Sequence, residues 1–216
     1  MELLLCPSMM CADIGNLRSE MKLLEEAGAD LFHIDVMDGQ YVPNFGMGRQ
    51  DIEYICRNGK IPSDIHLMIQ NPSNYIDLFA AMKPEIIYIH PESDIHCART
   101  LQRIAGHGIK PGIAVNPGTS LETVRELLYL VDYIMVMTVN PGFAGQDYLE
   151  YVNNKLLRLM EYKKEFSFDV IVDGAVSLSK IRELKEIGVR GFVLGTSTLF
   201  GKPEDYTAIF EKIKKI

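Results

Sequence analysis

The chain has 216 residues, 47% of them hydrophobic and 24% charged, which is enough apolar material for one buried core without disulfide staples. A formal net charge of -7 argues against a broad nucleic-acid footprint, which needs a basic surface, but leaves room for a small anion held by backbone amides. The four cysteines form no C-x-x-C pair, and no apolar run approaches the roughly 20 residues of a membrane span, so a cytoplasmic protein with neither a nucleic-acid nor a membrane partner is expected.

Short apolar runs predict strands at 2–6, 30–36, 61–67, 86–90, 110–115, 133–138, 169–172 and 191–194. The first contains Leu3-Leu4-Leu5-Cys6, a run too short for a signal peptide and with no basic residue before it. Asp13 is placed to cap a helix that stops at Gly28. The second strand ends in His33-Ile34-Asp35-Val36-Met37-Asp38-Gly39. Side chains two apart share one face of a strand, so His33, Asp35 and Met37 point one way while Phe32, Ile34 and Val36 turn to an apolar layer. The third strand ends in His66-Leu67-Met68, and Asn71-Pro72 opens the next helical segment. The fourth ends at His90, a candidate to support a ligand, whereas His96 and His107 fall in or near a helix and are expected in solvent. Thr119 or Ser120 begins a further helix, and Ser177 begins one that stops at Gly188.

Regular alternation of strand and helix means right-handed crossovers and a parallel sheet, and eight units in this length predict one α/β domain over 1–216, a (β/α)8 barrel of TIM type. An open doubly wound sheet would carry a glycine-rich loop after its first strand, but Cys6-Pro7-Ser8-Met9-Met10-Cys11 has no glycine. Glycines cluster instead after the sixth, seventh and eighth strands, where barrels commonly grip phosphate. The segments are Asn140-Pro141-Gly142-Phe143-Ala144-Gly145-Gln146, Gly174-Ala175 and Gly195-Thr196-Ser197, the last followed by an expected short helix.

In such a barrel the strand ends share one rim, so His33, Asp35, His66 and Asp173 are expected to converge. Two imidazoles and two carboxylates suit one divalent ion, Zn, Fe, Mn or Co, and spacing does not choose among these. Met37, Met68 and Met137 are expected to form an apolar cap above the ligands, against the plainer alternative that methionine fills core gaps.

Pro7-Ser8, the His33 to Gly39 motif, Val42-Pro43-Asn44, His66-Leu67-Met68, Asn140-Pro141-Gly142-Phe143 with Gly145-Gln146, and Val172-Asp173-Gly174 resemble the ribulose-phosphate 3-epimerase family over essentially the whole chain. The resemblance implies an isomerase that inverts C3 of a phosphorylated ketose through an ene-diolate. It implies a metal held by His33, Asp35, His66 and Asp173, with Asp35 and Asp173 as the acid/base pair. It also implies substrate contacts from Ser8, His66, Met37, Met68 and Met137, and a phosphate grip by Gly142, Phe143, Ala144, Gly145, Gly174, Ala175, Gly195, Thr196 and Ser197. Ala144, Gly195-Thr196-Ser197 and Ser8-Met9-Met10-Cys11 are similar to the allulose-6-phosphate 3-epimerase branch, so D-allulose 6-phosphate to D-fructose 6-phosphate is the favoured reaction, with D-ribulose 5-phosphate to D-xylulose 5-phosphate as the alternative. A homo-oligomer is expected. Metal-assisted hydrolysis and simple sugar-phosphate binding are the rival readings of the same residues.

Overall fold

The computed structural model describes residues 3–216. Eight strands are present: β1 (Leu4–Pro7), β2 (Phe32–Met37), β3 (Ser63–Met68), β4 (Ile86–Ile89), β5 (Lys110–Val115), β6 (Tyr133–Met137), β7 (Asp169–Asp173) and β8 (Gly191–Leu194). All ladders are parallel and run in the order β1-β8-β7-β6-β5-β4-β3-β2. This is the single-domain (β/α)8 barrel that the alternation predicts. Between β1 and β2 the ring closes without a ladder, through the single bridge Ser8↔His33 and, lower down, the Asp30 amide on the Leu5 carbonyl at 3.0 Å.

The helices are α1 (Leu17–Ala27), α2 (Arg49–Asn58), α3 (Ile76–Ala80), α4 (Cys97–Gly106), α5 (Val152–Tyr162), α6 (Leu178–Ile187) and α7 (Tyr206–Lys214). Asp13 caps a 3-10 turn, Ile14–Asn16, that leads into α1, and Gly28 ends α1 at φ 95. Ser177 caps α6 through the Lys180 amide, and Gly188 ends it at φ 111. Pro72 stands in the first turn of its helical segment as expected, a 3-10 turn before α3, with Asn71 ahead of it at φ 53. Two expectations need correction. The segment opened by Ser120 is a run of 3-10 turns, Leu121–Leu130, not an α-helix. No helix follows Gly195: the Leu199 and Phe200 amides fold back onto the Gly195 carbonyl at 2.9 and 3.3 Å as an isolated turn. It cannot propagate, because Gly201 is left-handed at φ 69 and Pro203 has no N–H.

Strand alternation separates two apolar layers. Phe32, Ile34 and Val36 face outward beneath the helices, whereas Cys6, Tyr88, Tyr133, Met135 and Ile171 fill the barrel interior. Cys6 is fully buried there, within β1. Tyr88 fills its layer only because its register partner on β5 is Gly112, where an added Cβ would fall inside the tyrosine ring. Gly112→Ala therefore overpacks the barrel and is expected to lower stability by about 1–3 kcal/mol, measured as a shift in the urea midpoint. An unchanged midpoint refutes this packing account.

No helix among the described residues is long and apolar enough to cross a membrane, and all four cysteines are free.

Candidate active site

Register builds the site. On β2 and β3, His33 lies opposite Asp64 and Asp35 opposite His66, so four polar side chains form one block facing the barrel interior. Met37 and Met68 pair directly above them. His33, Asp64 and His66 have no solvent exposure, and Asp35 has 4%. Within the block, Asp35 Oδ1 stands 3.2 Å from His33 Nε2 and 3.2 Å from His66 Nδ1, and Asp35 Oδ2 accepts from the Ser8 hydroxyl at 2.9 Å.

Asp173 reaches the block from β7, three strands away around the ring, with Oδ2 3.8 Å from His66 Nδ1. Thr138 anchors it there: the Thr138 amide and hydroxyl both donate to the Asp173 carbonyl, at 2.8 and 3.0 Å. One donor atom from each of His33, Asp35, His66 and Asp173 lies within 4.8 Å of the others, so the four side chains expected to converge do so.

The electrostatics match a bound cation. Asp35 and Asp64 are buried and Asp173 is partly buried beside them, yet among the described residues no lysine or arginine pairs with any of them. Of the protein's basic side chains only the imidazoles of His33 and His66 pair with these carboxylates among the described residues, and a dication at the four converging donors would add further positive charge. Two nitrogens and two oxygens form a donor set typical of Zn, Fe, Mn and Co sites. The imidazoles are also oriented for it. The second nitrogen of His33 is held by Asp64 Oδ1 at 2.5 Å, and that of His66 by His90 Nε2 at 2.8 Å.

The two carboxylates are driven apart in acidity. Burial, reinforced by the Asp35 charge, pushes the Asp173 carboxyl up to about 6. Burial acts on Asp35 in the same sense but is outweighed by the charges and hydrogen bonds of His33 and His66, which hold its carboxyl well below the usual range. Burial and the neighbouring His66 hold His90 well below the ordinary imidazole value, so it is neutral.

Above this block opens a cavity. Ser8, Asp35, Asp173 and the three methionines form its floor, and the segments 142–145, 174–175 and 195–197 its wall. No lysine or arginine lines it, and the amides of 142–145 and 174–175 donate to no protein acceptor. At φ 119 Gly174 brings its backbone against Val139, where a Cβ would collide with the Val139 amide, and Ala175 follows at φ 51, a left-handed conformation that costs an alanine about 1–2 kcal/mol. Concave, amide-lined and free of side-chain cations, this wall suits a small anion.

One placement differs from expectation. His66 does not line the cavity, because Asp35 and Met68 lie between it and the opening. Met37 and Met68 pack with Val42 and Met137 with the barrel interior, and all three line the same cavity. Reading the residues missed Asp64, although it stands two positions before His66 with the same spacing that singles out His33 and Asp35. Asn44, whose side chain donates to the Gly142 carbonyl at 2.7 Å, and Gln146, which clips Asn140 and Phe143 carbonyls at 2.6 and 2.8 Å, also shape the wall. Asp38 ties the loop after β2 to the loop after β3 by accepting from the Gln40, Tyr41 and Gln70 amides.

A parallel barrel whose strand ends hold paired carboxylates, a metal-type donor cluster and an anion-ready wall defines an enzyme of the sugar-phosphate isomerase type. The comparisons agree. Residues 4–200 match the model of the Ribulose-phosphate 3 epimerase family, and the chain belongs to that family. It is 41% identical to ribulose-phosphate 3-epimerase of Helicobacter pylori, covering 88% of each chain, and 37% identical to that of Aquifex aeolicus, covering 99% of this chain and 96% of the relative. Among solved structures, KGPDC from Streptococcus mutans superposes with a TM-score of 0.74 over 99% of this chain and 96% of that one at 12% identity, a likeness of fold alone. The protein is accordingly an isomerase, a ketose-phosphate 3-epimerase.

Proposed function

We propose that the protein interconverts D-ribulose 5-phosphate and D-xylulose 5-phosphate by moving a proton at C3 between Asp35 and Asp173. The observation that carries this reading is the pair itself: two carboxylates from strands three apart, converging on one cavity floor and shifted in acidity in opposite directions. Inversion at carbon requires removal of a proton from one face and delivery to the other, which a single base does not achieve. Ionised Asp35 takes the proton from one face of C3 while protonated Asp173 supplies one to the other, and the two exchange states with each turnover. His33, Asp35, His66 and Asp173 would hold a divalent ion, which would supply positive charge against the negative charge that develops as the C3 proton leaves. The Ser8 hydroxyl steadies Asp35, and Met37, Met68 and Met137 keep water from the floor. The amides of 142–145, 174–175 and 195–197 hold the phosphate.

The names of the relatives favour the pentulose phosphate over the hexulose phosphate to which Ala144 and Gly195-Thr196-Ser197 lean. Incubation with ribulose 5-phosphate in deuterated water tests the reaction, with label expected at C3 of both epimers. Release of phosphate would indicate a hydrolase, and absence of both a binding protein. A comparison of kcat/KM for ribulose 5-phosphate and allulose 6-phosphate at matched metal loading then tests the substrate: a higher value for the hexulose overturns the pentulose assignment.

A further inference from the structure

We propose that Asp64 is a positioning residue of the active site, holding the His33 imidazole as a metal donor and strengthening it with a buried negative charge. The proposal rests on the reading of His33, Asp35, His66 and Asp173 as a metal site. Asp64 reaches no solvent and does not line the substrate cavity, so it acts only through its neighbours. Its Oδ1 lies 2.5 Å from His33 Nδ1, and His33 Nε2 faces the cluster. With Nδ1–H donated to Asp64, the lone pair is on Nε2, where the other donors converge.

Two further observations give Asp64 this role. The other imidazole of the cluster, His66, rests on the His90 ring, so the two histidines are backed differently and only His33 has a carboxylate behind it. The second oxygen of Asp64, Oδ2, is buried with no hydrogen-bond partner, so this carboxylate is spent on one contact. A buried charge held by a single hydrogen bond is costly, and a cation one imidazole away offsets it.

The test compares wild type, Asp64→Asn and Asp64→Ala, measuring Zn²⁺ and Co²⁺ affinity by competition with a chromogenic chelator and the visible spectrum of the Co²⁺ form, with circular dichroism as the control for folding. Asp64→Ala is expected to bind metal about 10–100-fold more weakly and to shift the Co²⁺ bands. Asp64→Asn keeps an acceptor oxygen but loses the charge, and is expected to fall between Ala and wild type. Should the Ala variant not fold, the Asn variant decides alone. Wild-type affinity and spectrum in folded Asp64→Asn overturn the proposal. If wild type itself takes up no metal, or His33→Ala binds as well as wild type, it is the metal-site reading that fails.

Discussion

Replacing Asp35 or Asp173 with asparagine is expected to end epimerisation, with a loss of at least about 10³-fold in kcat, near the upper part of the range for general acid–base groups. Each substitution keeps the size of the side chain and removes its capacity to carry a proton. Because each carboxylate serves one face of C3, each variant retains at most slow hydrogen exchange on one of the two epimers, and the two variants favour different epimers. Asp35 also accepts from the Ser8 hydroxyl and stands 3.2 Å from both His33 and His66, so metal content must be measured beside turnover. Exchange of both epimers by one variant, or undiminished inversion in either, sinks the two-base mechanism.

Removing a ligand imidazole is the second large effect. His33→Ala and His66→Ala are each expected to purify with little bound metal, measured by atomic emission, and with turnover reduced to near background. The two should differ in stability. His33→Ala strands Asp64 as a buried charge with no partner, a change of the kind that costs about 3–5 kcal/mol. His66→Ala leaves behind the neutral His90, and an unpaired neutral group costs about 1–3 kcal/mol. Thermal unfolding of the metal-free proteins should therefore place His33→Ala well below His66→Ala. Full metal occupancy in both would reject the ligand assignment, and equal stability would reject the account of the residues behind them.

Much of this site is legible in the residues because strand parity is a local rule. His33, Asp35 and Met37 can be turned inward from spacing alone, and barrel topology then brings Asp173 to them from about 140 positions away in sequence. Parity also points to Asp64, which shares it with His66, but a carboxylate early in a strand reads as a solvated end until register places it opposite His33. Features made by chain segments meeting in space left no local trace. The Asn44 contact to Gly142 spans 98 residues, and the match of Gly112 to Tyr88 is set by the pairing of β4 with β5. Helical expectations failed where an end signal was genuine but propagation was not. Ser120 caps as anticipated, yet residues 121–130 wind as 3-10 turns, and the turn at Gly195 stops at Gly201.

The unladdered junction between β1 and β2 places the least cross-linked part of the ring at its most chemically exacting point, since Ser8 and His33 form its one bridge and Ser8 also holds Asp35. Local opening in proteins follows the fewest backbone hydrogen bonds, so this junction is the expected place for the cylinder to open. An occupant that ties β2 and β3 to β7 acts as a clasp across it, and at a hundred times its dissociation constant contributes about 2.7 kcal/mol to the closed form. The loaded enzyme is thus a stiffer cylinder than the empty one, with the gain concentrated along a single edge.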